Sequence, residues 1–390
     1  MLIKCVILKV TSICNLSCKY CYVYNKTDKS YLNEPDIIDF VTVKQLLQKI
    51  EQYCKKNKLN SFLIIFHGGE PLIAGKSFYE EFIKLAEKIV ISAKLYYSIQ
   101  TNGTLLTETF CKLFKKHNIH VCISIDGNET ASNNRIFKTT GHAAYNNIIA
   151  GYNIATKYVT PSVLSVINTS TDIDEYYTFF KDISVSYMDC LPPDSTYEKF
   201  DMNANQLGLW LIKLFDVWYF DKSKHKPRIR MFEDTINLFF GNENYAGGEL
   251  FGRNFNGAID IRTNGNIDIV DTLRICENNF LVGKYNIMNN ELDDIIKEDI
   301  FYKFYNAHQD DVLCEKCRNC IVKDVCGGGL LTYRFSAKNS FNNPSVYCFD
   351  IFLLLMYIQN TLIEYTSPKL LQQVNLTKIS MQDYIRTILY

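Results

Sequence analysis

The chain has 390 residues, 47% of them hydrophobic, which suits one large or two modest domains with a packed core and excludes a disordered protein. Its 42 basic and 42 acidic side chains cancel, so no global field draws it to nucleic acid or to an anionic membrane, and neither is an expected partner. Fourteen cysteines, with no signal peptide in the strand-like start MLIKCVILKV and no apolar run longer than Ile351 to Ile358, argue for metal ligation in a cytoplasmic, reducing and anaerobic setting.

From residue 4 to about residue 190, β-branched or aromatic runs take turns with helical stretches, the pattern of βα units around a parallel sheet. The expected strands are Lys4 to Thr11, Phe62 to His67, Tyr96 to Thr101, His120 to Asp126, Ser162 to Asn168 and Ser184 to Cys190. The expected helices are Val43 to Asn57, Ser77 to Ser92, Glu108 to His117, Ala143 to Lys157 and Ile173 to Asp182. Six such repeats predict an α/β fold, a partial (β/α)6 TIM-like barrel over residues 1–205, with functional residues on the rim where strands end. Residues 206–255 read as a bridging region with Trp210, Trp218 and the Gly247-Gly248 pair. Alternation on both sides of Asn264-Gly265 predicts a hairpin with a type I′ turn, opening a small domain over 256–362 that ends in an apolar helix, Asp350 to Leu362. Residues 363–390 read as a tail.

Cys14, Cys18 and Cys21 form a C-x3-C-x2-C array with Tyr20 before the third cysteine. Three thiolates hold a [4Fe-4S] cluster and leave one iron without a protein ligand. A structural zinc knuckle or scattered core cysteines are the bland alternatives. After the second strand comes His67-Gly68-Gly69-Glu70-Pro71, where two glycines let backbone approach a ligand and a carboxylate can accept from an ammonium group, although an ordinary turn reads the same way. Gln100-Thr101-Asn102-Gly103 and Ser124-Ile125-Asp126-Gly127 end the next two strands and are common turn chemistry. His67 is expected to be a packed strand-end histidine without a chemical role. Cys317, Cys320, Cys326 and Cys348 form a second array whose four thiolates would close a [4Fe-4S] cluster, with Cys314 as alternate ligand or neighbour and zinc as the competing metal.

The first array resembles the signature of radical S-adenosylmethionine (SAM) enzymes, in which SAM chelates the open iron and is split reductively to a 5′-deoxyadenosyl radical. That resemblance implies that Gly68, Gly69 and Glu70 receive the SAM amino group, that Tyr20 and Asn102 line the cofactor site, that Ser124 lies near the ribose, and that Arg135 pairs with the SAM carboxylate. The C-terminal region resembles the SPASM extension, which implies one auxiliary [4Fe-4S] cluster on Cys317, Cys320, Cys326 and Cys348. Val270 and Leu330 stand where full SPASM domains carry further cysteines, so a second auxiliary cluster is not expected, with Cys276 and Cys314 as partial substitutes.

Together with LPPDSTYE (Leu191 to Glu198), DTLR (Asp271 to Arg274) and the run from Cys317 to Cys348, the chain resembles peptide-maturing radical SAM/SPASM enzymes that include cyclophane-forming members. The resemblance implies a cross-link from an aromatic ring carbon to a side-chain Cβ in a ribosomal precursor peptide, with Asp271 as the catalytic proton acceptor. It further implies an external electron donor such as flavodoxin or ferredoxin. Because the chain begins at the first strand, leader recognition would fall to these domains or to a separate protein. Thioether formation, epimerisation, peptide excision and formylglycine formation are the alternatives with the same cofactors. A non-catalytic zinc or iron-sulfur module is the alternative of a different class.

Overall fold

The computed structural model describes residues 1–25, 29–200, 202, 205–241, 250–276, 280, 283–372, 374 and 376–389. In chain order the elements are β1 (Cys5–Thr11), α1 (Phe40–Asn57), β2 (Ser61–Gly68), α2 (Lys76–Ile89), β3 (Lys94–Thr101), α3 (Glu108–Lys116), β4 (Ile119–Ser124), the short α4 (Glu129–Ser132), α5 (Tyr145–Ala155) and β5 (Ser162–Val166). They continue with α6 (Ile173–Asp182), β6 (Tyr187–Leu191), α7 (Gln206–Tyr219), β7 (Arg228–Ile229), α8 (Arg230–Phe239), β8 (Ala258–Ile261), β9 (Ile267–Asp268), α9 (Asp299–Tyr305), α10 (Glu315–Arg318), α11 (Lys323–Cys326) and α12 (Cys348–Tyr365). The expected pair Gly247-Gly248 lies outside the described residues.

The chain forms two compact units, each discontinuous in sequence: residues 1–165 with 257–302, and residues 166–256 with 303–390. In the first, the strands run β5-β4-β3-β2-β1-β8-β9, all parallel except the β8-β9 hairpin. Helix α1 starts where the Asp39 carboxylate accepts from the Thr42 N–H and ends at Lys58 in the left-handed region, φ 53°. Helix α2 buries Phe78, Tyr79, Phe82, Ile83 and Ala86, a 3.6-period stripe, and Phe66 of β2 packs edge-on against Tyr79 and Phe82.

The hairpin expected to open a C-terminal domain packs in this first unit, because β8 pairs in parallel with β1 from Cys5↔Ala258 to Leu8↔Ile261. Its turn is not type I′. Gly265 alone takes positive φ (81°), its N–H donates to the Arg262 carbonyl, and the Arg262 N–H donates to Asn266, the geometry of a three-residue loop with a bulged glycine.

In the second unit β6 and β7 pair in parallel and α7 packs on α12. Strand β6 begins three residues later than expected, because Ser184 adopts φ 57° while closing α6 and cannot extend. The apolar helix runs longer than expected on both sides, and the region read as a tail carries a last helix, Met381–Leu389. No helix among the described residues is long and apolar enough to cross a membrane.

Candidate functional site

Strand β1 delivers Cys14, Cys18 and Cys21 into a loop that the 134–138 segment pins by backbone bonds from Ser17 to Ile136, Lys19 to Asn134 and Lys138 to Asn15. Within the loop the Cys21 N–H donates to the Cys18 carbonyl at 3.0 Å. The Cys14 sulfur accepts from the Leu16 N–H at 3.4 Å and from Asn102 Nδ2 at 3.8 Å. Burial pushes the thiols up, Cys14 to about 12 and Cys18 to about 11, and Cys21 in the same direction. Three partly buried thiols that also repel one another as thiolates call for a compensating cation, which an iron cluster bound to them supplies. Among the described residues no three His, Cys, Asp or Glu side chains close on a single metal ion.

Tyr20 reaches back over this loop. Its hydroxyl donates to Asp126 Oδ2 at 2.5 Å, and Arg135 grips the same carboxylate bidentately, Nε to Oδ2 at 2.8 Å and Nη2 to Oδ1 at 2.9 Å. Arg135 is 5% exposed and its guanidinium sits 5.4 Å from the Tyr20 ring centroid. Arg135, which the resemblance assigns to the SAM carboxylate, ties Asp126, Tyr20 and Cys18 together. Ser124, at the end of β4, accepts from Gln100 Nε2 at 2.8 Å.

The Gly68-Gly69 step is closely enclosed. Gly68 takes φ 141°, and a Cβ there would lie 2.3 Å from the Thr11 carbonyl oxygen; a Cβ on Gly69 would lie 2.0 Å from both the Ile13 oxygen and the Tyr24 hydroxyl. Only glycine lets β2 end against the cysteine loop. Glu70 is completely buried, and its carboxylate accepts from Leu72 N at 3.0 Å, Thr101 Oγ1 at 2.7 Å and Asn102 N at 2.8 Å, so it fastens the ends of β2 and β3. Burial still raises its pKa to about 7.

Around Asp271 on the same rim stand charged partners that the sequence did not indicate, Lys9, Asp260, Asp268 and Arg262. Lys9 and His67 are register partners on β1 and β2, with Nζ 3.1 Å from Nδ1. Lys9 forms an ion pair with Asp271 and lies 3.4 Å from Asp260 on β8. Arg274 Nε reaches Asp271 at 3.4 Å and its Nη2 reaches Asp268 at 3.2 Å; Arg262 joins Asp268 and Glu34. These cations hold the Asp271 carboxyl far below the usual carboxylate range, against its own desolvation, while burial and the Asp271 charge push Asp260 up. His67 is lowered to about 3 by burial and Lys9, so it is neutral. Lys9, Tyr24, Gly68, Gly69, Asp271 and Arg274 line one small cavity of about 20 Å³. A lysine inside a strand that is otherwise apolar and paired on both edges was the available signal, since a buried ammonium requires counter-charges.

Residues 8–175 match the family model described as the radical SAM superfamily. The chain carries a radical SAM domain. The cofactors of a radical SAM domain are SAM and a [4Fe-4S] cluster, and the donor set of the cysteine loop fits the cluster. The chain is 32% identical over 248 residues to a cysteine-type anaerobic sulfatase-maturating enzyme of Clostridium novyi, covering 60% of this chain and 64% of that enzyme, so it spans less than two thirds of that relative. It is 25% identical over 355 residues to a serine-type anaerobic sulfatase-maturating enzyme of Bacteroides thetaiotaomicron, covering 84% of this chain and 82% of that one. Its fold is like that of native anSMEcpe with bound AdoMet, TM-score 0.78 at 22% identity over 92% of this chain and 98% of that one.

The second unit holds the second cysteine array. Cys317, Cys320, Cys326 and Cys348 line one small cavity of about 20 Å³; Cys314 is not in its lining. Cys314 packs beside Cys317 in one buried cluster, and their interaction draws the Cys314 thiol down and pushes Cys317 up. Arg334 is fully buried behind them and donates to four backbone carbonyls, those of Ala307, Gly327, Gly328 and Gly329, at 2.7 to 2.9 Å. Positive φ at Gly327, Gly328 and Gly329 turns those carbonyls onto it. The guanidinium favours thiolate at Cys317 and Cys326, so this donor set also fits an iron-sulfur cluster.

Proposed function

We propose that this chain is a radical SAM enzyme that oxidises a cysteine or serine side chain of a peptide or protein substrate to formylglycine. The observation that carries the reading is Asp271, held ionised between Lys9 and Arg274 in the lining of the rim cavity beside Gly68-Gly69. Similarity to both cysteine-type and serine-type sulfatase-maturating enzymes supports it and moves formylglycine formation ahead of the cyclophane outcome.

When bound, SAM and its cluster supply hydrogen abstraction from the substrate Cβ and a destination for one electron. Cys14, Cys18 and Cys21 would hold that cluster, and Glu70 with Asn102 would shape the SAM side of the rim. Asp271 accepts the hydroxyl or thiol proton, and Lys9 and Arg274 keep it deprotonated between turnovers. Hydrogen atom, proton and electron together make the two-hydrogen oxidation; a thioaldehyde formed from cysteine then exchanges sulfur for oxygen with water. The four thiols of the second unit would hold an auxiliary [4Fe-4S] cluster, which would supply a place for the substrate electron, and an external donor such as flavodoxin or ferredoxin would supply the electron that SAM cleavage consumes.

Anaerobic incubation with sulfatase-derived peptides carrying cysteine or serine at the target position, read by tandem mass spectrometry with a hydrazide probe, tests this. The expected product is an aldehyde at that position and one 5′-deoxyadenosine per product. Two-hydrogen loss without aldehyde, with fragmentation suppressed between an aromatic residue and its neighbour, would overturn it in favour of a cyclophane.

A further inference from the structure

The last helix, read from sequence as part of a tail, reaches the auxiliary cysteines. Tyr384 is 8% exposed, lines their cavity, and packs its ring 4.9 Å from that of Phe349 and 4.8 Å from that of Phe352. Tyr384 and Cys348 line that cavity together. Lys316 lies on the other side, with Nζ 5.0 Å from the ring centroid and 3.5 Å from the hydroxyl. The placement is held by a second set of contacts. Asn360 of α12 exchanges two bonds with the backbone of Ile379, Nδ2 to the carbonyl at 2.8 Å and the Ile379 N–H to Oδ1 at 3.0 Å, and Gln359 Nε2 binds the Thr377 carbonyl. Ser380 and Asp383 then start the helix, Ser380 Oγ and N both donating to Asp383 Oδ2 at 2.8 Å.

We infer that the C-terminal helix is the cover of the auxiliary cluster and that Tyr384 is its positioning residue, donating a hydrogen bond to the ligand sulfur of Cys348 while its ring keeps water and chelators from the cavity. The inference rests on the reading of Cys317, Cys320, Cys326 and Cys348 as cluster ligands. The two parts of the tyrosine act in opposite directions. A hydrogen bond to a thiolate ligand withdraws charge and stabilises the reduced cluster, raising its potential; burial under an apolar ring disfavours added negative charge and lowers it. A side chain that only packed would move neither quantity in the way that the hydroxyl does.

The experiment uses full-length protein with Cys14, Cys18 and Cys21 replaced by alanine, so that any iron belongs to the second site. In this background Tyr384→Phe, Tyr384→Ala and Asn360→Ala are compared by iron and sulfide content, by spectroelectrochemical midpoint potential, and by the rate of bleaching under a chelator. Tyr384→Phe is expected to keep the cluster and its bleaching rate while shifting the midpoint to more negative potential. Tyr384→Ala is expected to bleach about 10-fold faster, the size typical of losing a partner that supports a metal ligand, and Asn360→Ala to bleach faster with Tyr384 intact. Unchanged potential in Tyr384→Phe with unchanged bleaching in Tyr384→Ala overturns the inference while leaving the cluster assignment standing. No iron in the background protein overturns the cluster assignment itself, and the inference with it.

Discussion

Lys9 and Asp271, 262 positions apart, form an ion pair in which both side chains are more than nine-tenths buried, 9% and 7% exposed. Parallel pairing of β1 with β8 brings them together, and the pair sets the protonation state of the one rim carboxylate that the proposed chemistry uses. Lys9→Met keeps the length of the side chain and removes the charge. Asp271 then keeps Arg274 at 3.4 Å as its cation, and its carboxyl rises. The variant is expected to lose about 100-fold in kcat below neutral pH, the lower end of a general acid-base contribution, and to recover part of it as pH rises. An unchanged pH profile of product formation would show that Lys9 does not govern Asp271.

Cys18→Ala is expected to remove one cluster of about four irons and to abolish 5′-deoxyadenosine release. The backbone bonds that hold residues 15–19 on 134–138 do not involve the Cys18 thiol, so the circular dichroism melt of the apoprotein changes little. Retained SAM cleavage would sink the assignment of the cysteine loop.

Glu70 makes the stability of the apoprotein depend on pH. Burial raises its pKa from 4.5 to about 7 in the folded chain. Between those values the folded state binds more protons than the unfolded state, so this group's contribution is fully present below pH 4.5 and is lost as pH rises toward 7. The loss is on the order of 3 kcal/mol. Urea titrations of the apoprotein and of Glu70→Gln at pH 5 and pH 8 check it: the native protein should show the steeper decline, and parallel behaviour would show that Glu70 does not titrate in this window.

Gly69→Ala forces a methyl to within 2.0 Å of the Ile13 oxygen and the Tyr24 hydroxyl. Neither the loop backbone nor the Tyr24 hydroxyl, which donates to the Ser12 carbonyl at 2.7 Å, can give way without moving Cys14. The expected outcome is a folded chain whose reconstituted iron falls toward that of the Cys18→Ala variant. Full iron content with normal SAM cleavage would mean that the close approach is not needed.

Much of the site was legible because its parts are local in sequence. The spacing of Cys14, Cys18 and Cys21 lies within one loop, and Gly68-Gly69-Glu70 follows directly on a recognisable strand. Alternating strand and helix patterns gave the parallel units in their observed order, with boundaries moved where one residue took a special backbone angle, as at Ser184. Spacing also marked the second set of cysteines, Cys317, Cys320, Cys326 and Cys348, as a candidate ligand group.

What the chain alone determined, then, is the set of donors and the strands that carry them, since spacing and periodicity are properties of neighbouring residues. Tertiary structure decided the electrostatics. Asp126 became the anchor of Tyr20 and Arg135, Lys9 met Asp271 and Asp260, and Tyr384 met Cys348. Each of these contacts joins residues far apart in sequence, and a charge or hydroxyl changes its protonation and hydrogen bonding only when folding removes it from water and supplies a partner.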